Sequence, residues 1–79
     1  MSARLVFLGR LEDIAGGGER TVAPGPLEAV LGKLEPDLAV ALLGERVRMA
    51  LNGVLIAERG GIVLGEGDEL AFLPPVSGG

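Results

Sequence analysis

Cysteine and histidine are both absent from the 79-residue sequence. Without cysteine, the chain can form no disulfide framework and no thiolate metal site. Without histidine, it lacks the commonest general base and metal ligand near neutral pH. These absences make a self-contained enzyme a poor candidate. What remains is one small domain, for which a single core is possible because 48% of the residues are hydrophobic.

Basic residues are scarce as well. Seven of them stand against eleven acidic residues, which gives a formal net charge of −4. Such a surface does not suit phosphate backbones, so we expect no nucleic-acid partner. No apolar run reaches the roughly 18 residues of a membrane-spanning helix, and the start of the chain lacks a signal-peptide pattern. We therefore expect a cytoplasmic protein with no membrane partner.

Three short patterns resemble ligand-binding loops but have the wrong surroundings. Gly16-Gly17-Gly18 precedes strand-like residues, whereas a phosphate loop needs a helix directly after it. Gly32-Lys33 lacks the loop glycine and the Ser or Thr of a P-loop. The acidic residues from Glu66 to Glu69 do not have EF-hand spacing. We expect that the chain binds no metal and no cofactor of its own.

Hydrophobic residues with strand-like spacing occur at both ends of the chain. Val47, Met49 and Leu51 alternate with less apolar residues, and Asn52-Gly53 then gives a strong hairpin signal. The pattern predicts strands over 4–8, 19–22, 47–51, 54–57 and 69–73, with a small apolar piece over 62–64.

Helical spacing is confined to the first half of the chain. Leu27, Val30, Leu31 and Leu34 form one apolar face and predict a main helix over 26–34. Residues 11–14 could form one helical turn. A second short helix is predicted from Asp37, as its N-cap, to Leu43.

A hairpin, a helix and further strands predict an α+β domain with helices on one face of a mixed sheet. At this length we expect a β-grasp fold over residues 1–73, with a four- or five-stranded sheet and one main helix packed across it. The first and last strands would lie side by side in the middle of that sheet.

Residues 74–79 are predicted to form a separate, flexible tail. Pro74 and Pro75 cannot donate to a sheet ladder and hold the chain extended. Val76, Ser77, Gly78 and Gly79 follow, and the tail reaches about 20 Å at roughly 3.3 Å per residue. Glycine can pass through a channel too narrow for a Cβ atom. The tail is therefore either a substrate that is threaded into another protein or simply a frayed chain end.

The sequence resembles the MoaD-like small subunit of molybdopterin synthase, from the MoaD/ThiS ubiquitin-like sulfur carriers. The resemblance runs over nearly the whole chain and is strongest at the ending Phe72-Leu73-Pro74-Pro75-Val76-Ser77-Gly78-Gly79. It implies that the C-terminal carboxylate of Gly79 is adenylated and then converted to a thiocarboxylate. It also implies that catalytic side chains lie on partner proteins, so that the chain alone is not an enzyme.

The resemblance implies three partners. A ubiquitin-activating-type, MoeB-like adenylyltransferase would supply ATP and Mg²⁺, a persulfide donor would supply sulfur, and a MoaE-like large synthase subunit would accept it. A related carrier for tRNA thiolation or for the thiazole of thiamin remains an alternative. So do a ubiquitin-like protein modifier and a plain interaction module.

The strand pattern also predicts where partners dock. If Leu70 and Phe72 point into the core, alternation places Ala71 and Leu73 on the open face of the sheet. Val6 and Leu8 would share that face, and Arg46 and Arg48 on a nearby strand would add charge complementarity. The alternative is that a loop or the second short helix covers these residues.

Overall fold

The computed structural model describes residues 1–57 and 60–75. In chain order, the elements are β1 (Ala3–Phe7), α1 (Arg10–Ala15), β2 (Glu19–Val22), β3 (Gly25–Pro26), α2 (Leu27–Gly32), α3 (Pro36–Leu42), β4 (Arg48–Leu51), β5 (Val54–Leu55), β6 (Val63–Leu64) and β7 (Glu69–Leu73). The predictions for Val76, Ser77, Gly78 and Gly79 lie outside the described residues. The division into a domain over 1–73 and a tail over 74–79 therefore stays a prediction.

The main sheet has five strands in the order β2-β1-β7-β4-β5. The first strand, β1, runs parallel to the last strand, β7, and the other neighbouring pairs are antiparallel. This is the β-grasp arrangement, so the prediction of fold and of the central strand pair is confirmed. Because β7 is central, the tail leaves the domain from the middle of the sheet.

The core fills the space between one face of the sheet and the helices. Leu5, Leu70 and Phe72 are completely buried in the two central strands. The apolar face predicted for the main helix is buried against them, since Leu27, Val30, Leu31 and Leu34 belong to the same hydrophobic cluster. The predicted packing of helix against sheet is therefore confirmed.

The helices differ from the prediction in length and in their first residues. The main helix is α2, which begins one residue later than predicted because Pro26 of β3 pairs with Val63 of β6. It also ends earlier, at Gly32, with Lys33 at the C-cap position. In α3, Pro36 occupies the first turn and Glu35 the N-cap position, without a side-chain hydrogen bond. The prediction that Asp37 caps this helix is wrong. The fixed φ of proline suits the first helical turn, which moves the cap position upstream of Asp37.

The second short helix packs on the core side of the sheet. Leu38 and Leu42 of α3 are buried in the cluster that contains the central strands. The open face of the sheet is therefore not covered by α3. The three helices span six, six and seven residues, and none within the described residues is long and apolar enough to cross a membrane.

A polar network closes the end of the sheet opposite the tail. Asn52 and Gly53 both have positive φ, which confirms the predicted tight hairpin turn. The Asn52 amide donates to Asp68 Oδ1 at 3.1 Å, and Glu69 N donates to Asn52 Oδ1 at 3.0 Å. Gly65 N donates to Asp68 Oδ2 at 2.8 Å. These bonds join the β4–β5 turn to the turn before β7.

Candidate docking face and tail root

The last strand leads directly from the core to the root of the tail. Phe72 is fully buried, while Leu73 and Pro74 are half-buried and Pro75 is exposed. The strand β7 ends at Leu73 because Pro74 has no N–H to continue the ladder. The buried Phe72 thus anchors the tail two residues before Pro74.

The face of the sheet that points away from the helices carries a row of apolar side chains. Successive strand residues point to opposite faces, so Ala71 points away from the core that buries its neighbours Leu70 and Phe72. The strand register places four such residues side by side. These residues, here called the apolar row, are Val6, Ala71, Ala50 and Leu55.

Leu8 and Leu73 extend this row toward the tail. Phe7 and Phe72 are paired in register, and the Leu8 amide donates to the Phe72 carbonyl oxygen at 3.1 Å, so the next residue of each strand lies close to the other. Leu8 is 42% exposed, and Leu73 is half-buried opposite Arg48 of β4. The apolar row together with Leu8 and Leu73 is called the docking face below.

A polar row borders the docking face on the side away from the tail. Arg4 forms ion pairs with Glu69 and, at 3.7 Å, with Glu19. All three side chains are well exposed, so these pairs add little to stability. Arg4 and Glu69 are paired in register on the side of Val6 and Ala71 away from the tail, whereas Glu19 stands opposite Val6. These charges therefore border the apolar surface on its far side and at its β2 edge.

A groove with basic residues lies beside the tail root. Its volume is about 610 Å³, and it is lined by Glu45, Arg46, Arg48, Leu55, Leu73, Pro74 and Pro75. The strand β4 begins at Arg48, so the expectation that Arg46 lies on this strand is wrong: Arg46 belongs to the turn before it. Both arginines are nevertheless exposed and line the same groove.

One contact at the tail root was not predicted from the sequence. Pro74 lies against Gly9, the residue between β1 and α1, so closely that a Cβ atom on Gly9 would be 2.8 Å from Pro74 Cγ. The available signal was a lone glycine between a strand and a helix, which by itself does not identify a partner.

The ionisable groups near this surface are all solvent-accessible and do not form a metal-binding cluster among the described residues. The part of the chain that the structure describes has no buried charged side chain and no cluster of three or more acidic residues placed to hold a metal ion. The described residues can offer a partner an apolar face, two guanidinium groups and two prolines, Pro74 and Pro75, that follow a central strand.

A helix-packed five-stranded sheet with parallel first and last strands defines the class of ubiquitin-like β-grasp proteins. Within that class, the ThiS family model matches residues 5–79, and the chain belongs to the ThiS family. No curated protein matches the chain.

Several solved structures resemble the chain over all or nearly all of its length. SAMP1 from Haloferax volcanii is 26% identical, with both chains covered completely and a TM-score of 0.71. A complex of subunits 1 and 2 of the molybdopterin-converting factor from Helicobacter pylori contains a chain that is 27% identical, again with complete coverage of both and a TM-score of 0.66. The structure named as putative molybdopterin converting factor, subunit 1, from Pyrococcus furiosus is 21% identical to the chain. The match covers 96% of this chain and 99% of that chain, and the TM-score of 0.69 shows that the two share a fold.

These matches confirm the predicted membership of the MoaD/ThiS ubiquitin-like sulfur carriers. The fold is that of a small carrier subunit.

Proposed function

We propose that the chain is the sulfur-carrying small subunit of a molybdopterin synthase. The observation that carries this proposal is its full-length likeness, at 27% identity, to a chain from a complex of subunits 1 and 2 of the molybdopterin-converting factor. The ending Pro74-Pro75-Val76-Ser77-Gly78-Gly79 supports the same choice among the carriers of the family.

Sulfur would be carried on the carboxyl carbon of Gly79. A terminal carboxylate has a pKa of about 3.5, so it is ionised and unreactive at neutral pH. A MoeB-like adenylyltransferase would therefore use ATP and Mg²⁺ to convert it to an acyl-adenylate. The outer sulfur of a persulfide donor then attacks the acyl carbon and displaces AMP, which leaves an acyl disulfide between Gly79 and the donor. A second thiol attacks the donor-side sulfur of that bond, so that the thiocarboxylate is released and the two thiols end as a disulfide. The use of ATP by this partner assigns the carrier to the cytoplasm.

The docking face would bind both large partners. Leu8 and Leu73 are its apolar anchors nearest the tail, and Val6 continues the surface across the central strands. Exposed apolar patches on small domains commonly mark binding sites. Arg46 and Arg48 would mainly raise the association rate with an acidic rim on the partner. Because one face serves both partners, the adenylyltransferase and the MoaE-like subunit would compete.

The tail would be threaded into each partner in turn. Pro74 and Pro75 restrict the backbone near the docking face, so less conformational entropy is lost when the tail enters a channel. Gly78 and Gly79 carry no Cβ atom and fit the narrowest part of that channel. Val76 and Ser77 connect these two parts.

A second candidate function is protein modification. It is favoured by the 26% identity to SAMP1 from Haloferax volcanii over the full length of both chains. In that case the activated Gly79 would form an amide with lysine side chains. Sulfur carriage for tRNA thiolation or for the thiazole of thiamin are the remaining alternatives within the family.

Intact-mass analysis separates these functions. The chain is incubated with a MoeB-like adenylyltransferase, ATP, Mg²⁺, a persulfide donor and a thiol reductant, and a carrier gains the mass difference between sulfur and oxygen. Addition of a MoaE-like subunit and the cyclic pterin precursor should then remove that gain and form molybdopterin. If the thiocarboxylate is stable with the MoaE-like subunit but transfers its sulfur to tRNA or a thiazole precursor, the molybdopterin role is wrong and that acceptor replaces it. Adducts of the chain on lysine side chains would favour protein modification.

A further inference from the structure

The root of the tail is held by a contact that joins the two ends of the folded domain. Gly9 follows β1 and is the N-cap residue of α1, with φ 55° and ψ −136°. A methyl group on Gly9 would lie 2.8 Å from Cγ and 3.6 Å from Cδ of Pro74. The proline ring therefore fills the space that any other side chain at position 9 would need.

We propose that Gly9 is a positioning residue that fixes the direction in which the tail leaves the domain. The ring of Pro74 packs on the backbone of Gly9, and this contact orients the chain that follows. The inference rests on the proposed function, because the direction of the tail matters only if a partner must take up its end.

The turn around Gly9 is the fixed side of this contact. Three backbone hydrogen bonds of 3.1 Å hold this turn. The backbone N–H of Leu8 donates to the carbonyl oxygen of Phe72, that of Leu11 to the carbonyl oxygen of Leu8, and that of Glu12 to the carbonyl oxygen of Gly9. Leu11 is also buried in the core. The turn cannot move away from an added side chain without loss of these hydrogen bonds and of this packing.

Pro74 is the side that would move. It lies beyond β7, so the sheet ladder does not hold it, and it is only half-buried. Pro74 also lines the open groove that contains Arg46 and Arg48. A side chain at position 9 would push the ring toward that groove and redirect the tail, while the docking face stayed in place.

The chain offers a matched control for this substitution. Gly16 flanks the other end of α1, also has a positive φ of 79°, and has no atom within 4 Å of the position that a Cβ would occupy. Gly9→Ala and Gly16→Ala both place a methyl group on a glycine of positive φ, but Gly16 has αL geometry, with ψ 18°, whereas the ψ of −136° at Gly9 is more strained for alanine. The Pro74→Ala background described below controls for that additional strain, because it is present with and without the proline ring. Only Gly9→Ala places it against Pro74.

We expect Gly16→Ala to bind the adenylyltransferase with the wild-type Kd. Gly9→Ala should bind within a few-fold of that value, because the docking face is unchanged and only the tail is redirected. Sulfur transfer in Gly9→Ala should nevertheless fall on the order of tenfold to a hundredfold in kcat, the size of effect that a misplaced reacting group produces. Gly16→Ala should transfer sulfur at the wild-type rate. A merely structural defect would instead lower the melting temperature and binding together.

A double-mutant cycle with Pro74→Ala tests whether the ring is the cause. In the Pro74→Ala background, Gly9→Ala should have no further effect on kcat, because the ring that it displaces is gone. Equal kcat values for Gly9→Ala and Gly16→Ala would overturn the inference. The same holds if Gly9→Ala lowers kcat equally with and without the proline ring.

An NMR measurement keeps this inference separate from the proposed function. The wild-type protein should show a nuclear Overhauser effect between the Gly9 Hα and the Pro74 ring protons, and Gly9→Ala should weaken it. Absence of that effect in the wild type contradicts the inference, whatever the activity. A wild type that shows the effect but never acquires sulfur refutes the proposed function and, with it, the role assigned to the contact.

Discussion

Phe7 and Phe72 are paired in register across the parallel strands β1 and β7, and their rings stack with centroids 5.9 Å apart at an interplanar angle of 11°. Each ring immediately precedes a leucine of the docking face. The same strand pair thus builds the core on one side and the proposed binding surface on the other. Loss of core packing at Phe72 and loss of contact at Leu73 should consequently have separable effects.

Phe72→Ala should lower the free energy of unfolding by about 3–5 kcal/mol, because it leaves a cavity at a completely buried position. For a domain of this size that is a large share of the total stability. Urea denaturation followed by circular dichroism measures the change. Phe72→Leu, which keeps most of the buried volume, should cost less. A wild-type midpoint for Phe72→Ala would contradict the packing described here.

Leu73→Glu should weaken binding to both the adenylyltransferase and the large subunit by about tenfold or more, equivalent to roughly 1.4 kcal/mol. A carboxylate at this position would lose hydration in the apolar contact, and pairing with Arg48 opposite it would withdraw that guanidinium from the partner. Titration calorimetry measures both affinities. Val40→Glu is the control, since Val40 is 72% exposed on α3, away from the docking face. Simultaneous binding of both partners to one carrier would refute a shared face.

Deletion of Gly79, or substitution of Gly78 by valine, should abolish sulfur loading and leave the fold intact. The first change moves the carboxylate, and the second adds a branched side chain where the channel is expected to be narrowest. Intact-mass analysis reports loading, and the melting temperature reports the fold. Ser77→Ala, which adds no bulk, should load normally. A Gly78→Val protein that still acquires sulfur would disprove the narrow-channel interpretation.

The network around Asp68 should make stability depend on pH. The hydrogen bond from Gly65 N, followed by that from the Asn52 amide, lowers the pKa of Asp68 in the folded state. The carboxylate is therefore favoured by folding, and its stabilising effect is complete above the unfolded pKa. That effect is lost as the pH falls through the lowered folded pKa.

Asp68→Asn provides the measurement. The stability difference between wild type and variant, from urea denaturation at several pH values, should be largest near neutral pH and should shrink in acid. Asn52→Ala should retain part of the pH dependence, because the larger contribution, from Gly65 N, remains. A difference that is constant from neutral to acidic pH would show that the charge of Asp68 is not involved.

The local pattern of the sequence was sufficient for the elements that make the central sheet. Period-two alternation identified which residues of β7 are buried, and Asn52-Gly53 identified a turn that requires positive φ at both positions. The apolar spacing in α2 identified its buried face. These features are local, because the geometry of a strand, a turn or a helix relates residues only a few positions apart.

Tertiary structure decided which distant segments meet. Pro26 pairs with Val63 in a short second ladder, so the main helix begins at Leu27. Pro36 rather than Asp37 determines how α3 begins, and Arg46 lies before β4 rather than on it. Gly9 meets Pro74 across the whole length of the chain. No periodicity encodes such contacts, since each depends on how the packed core brings the ends of separate elements together.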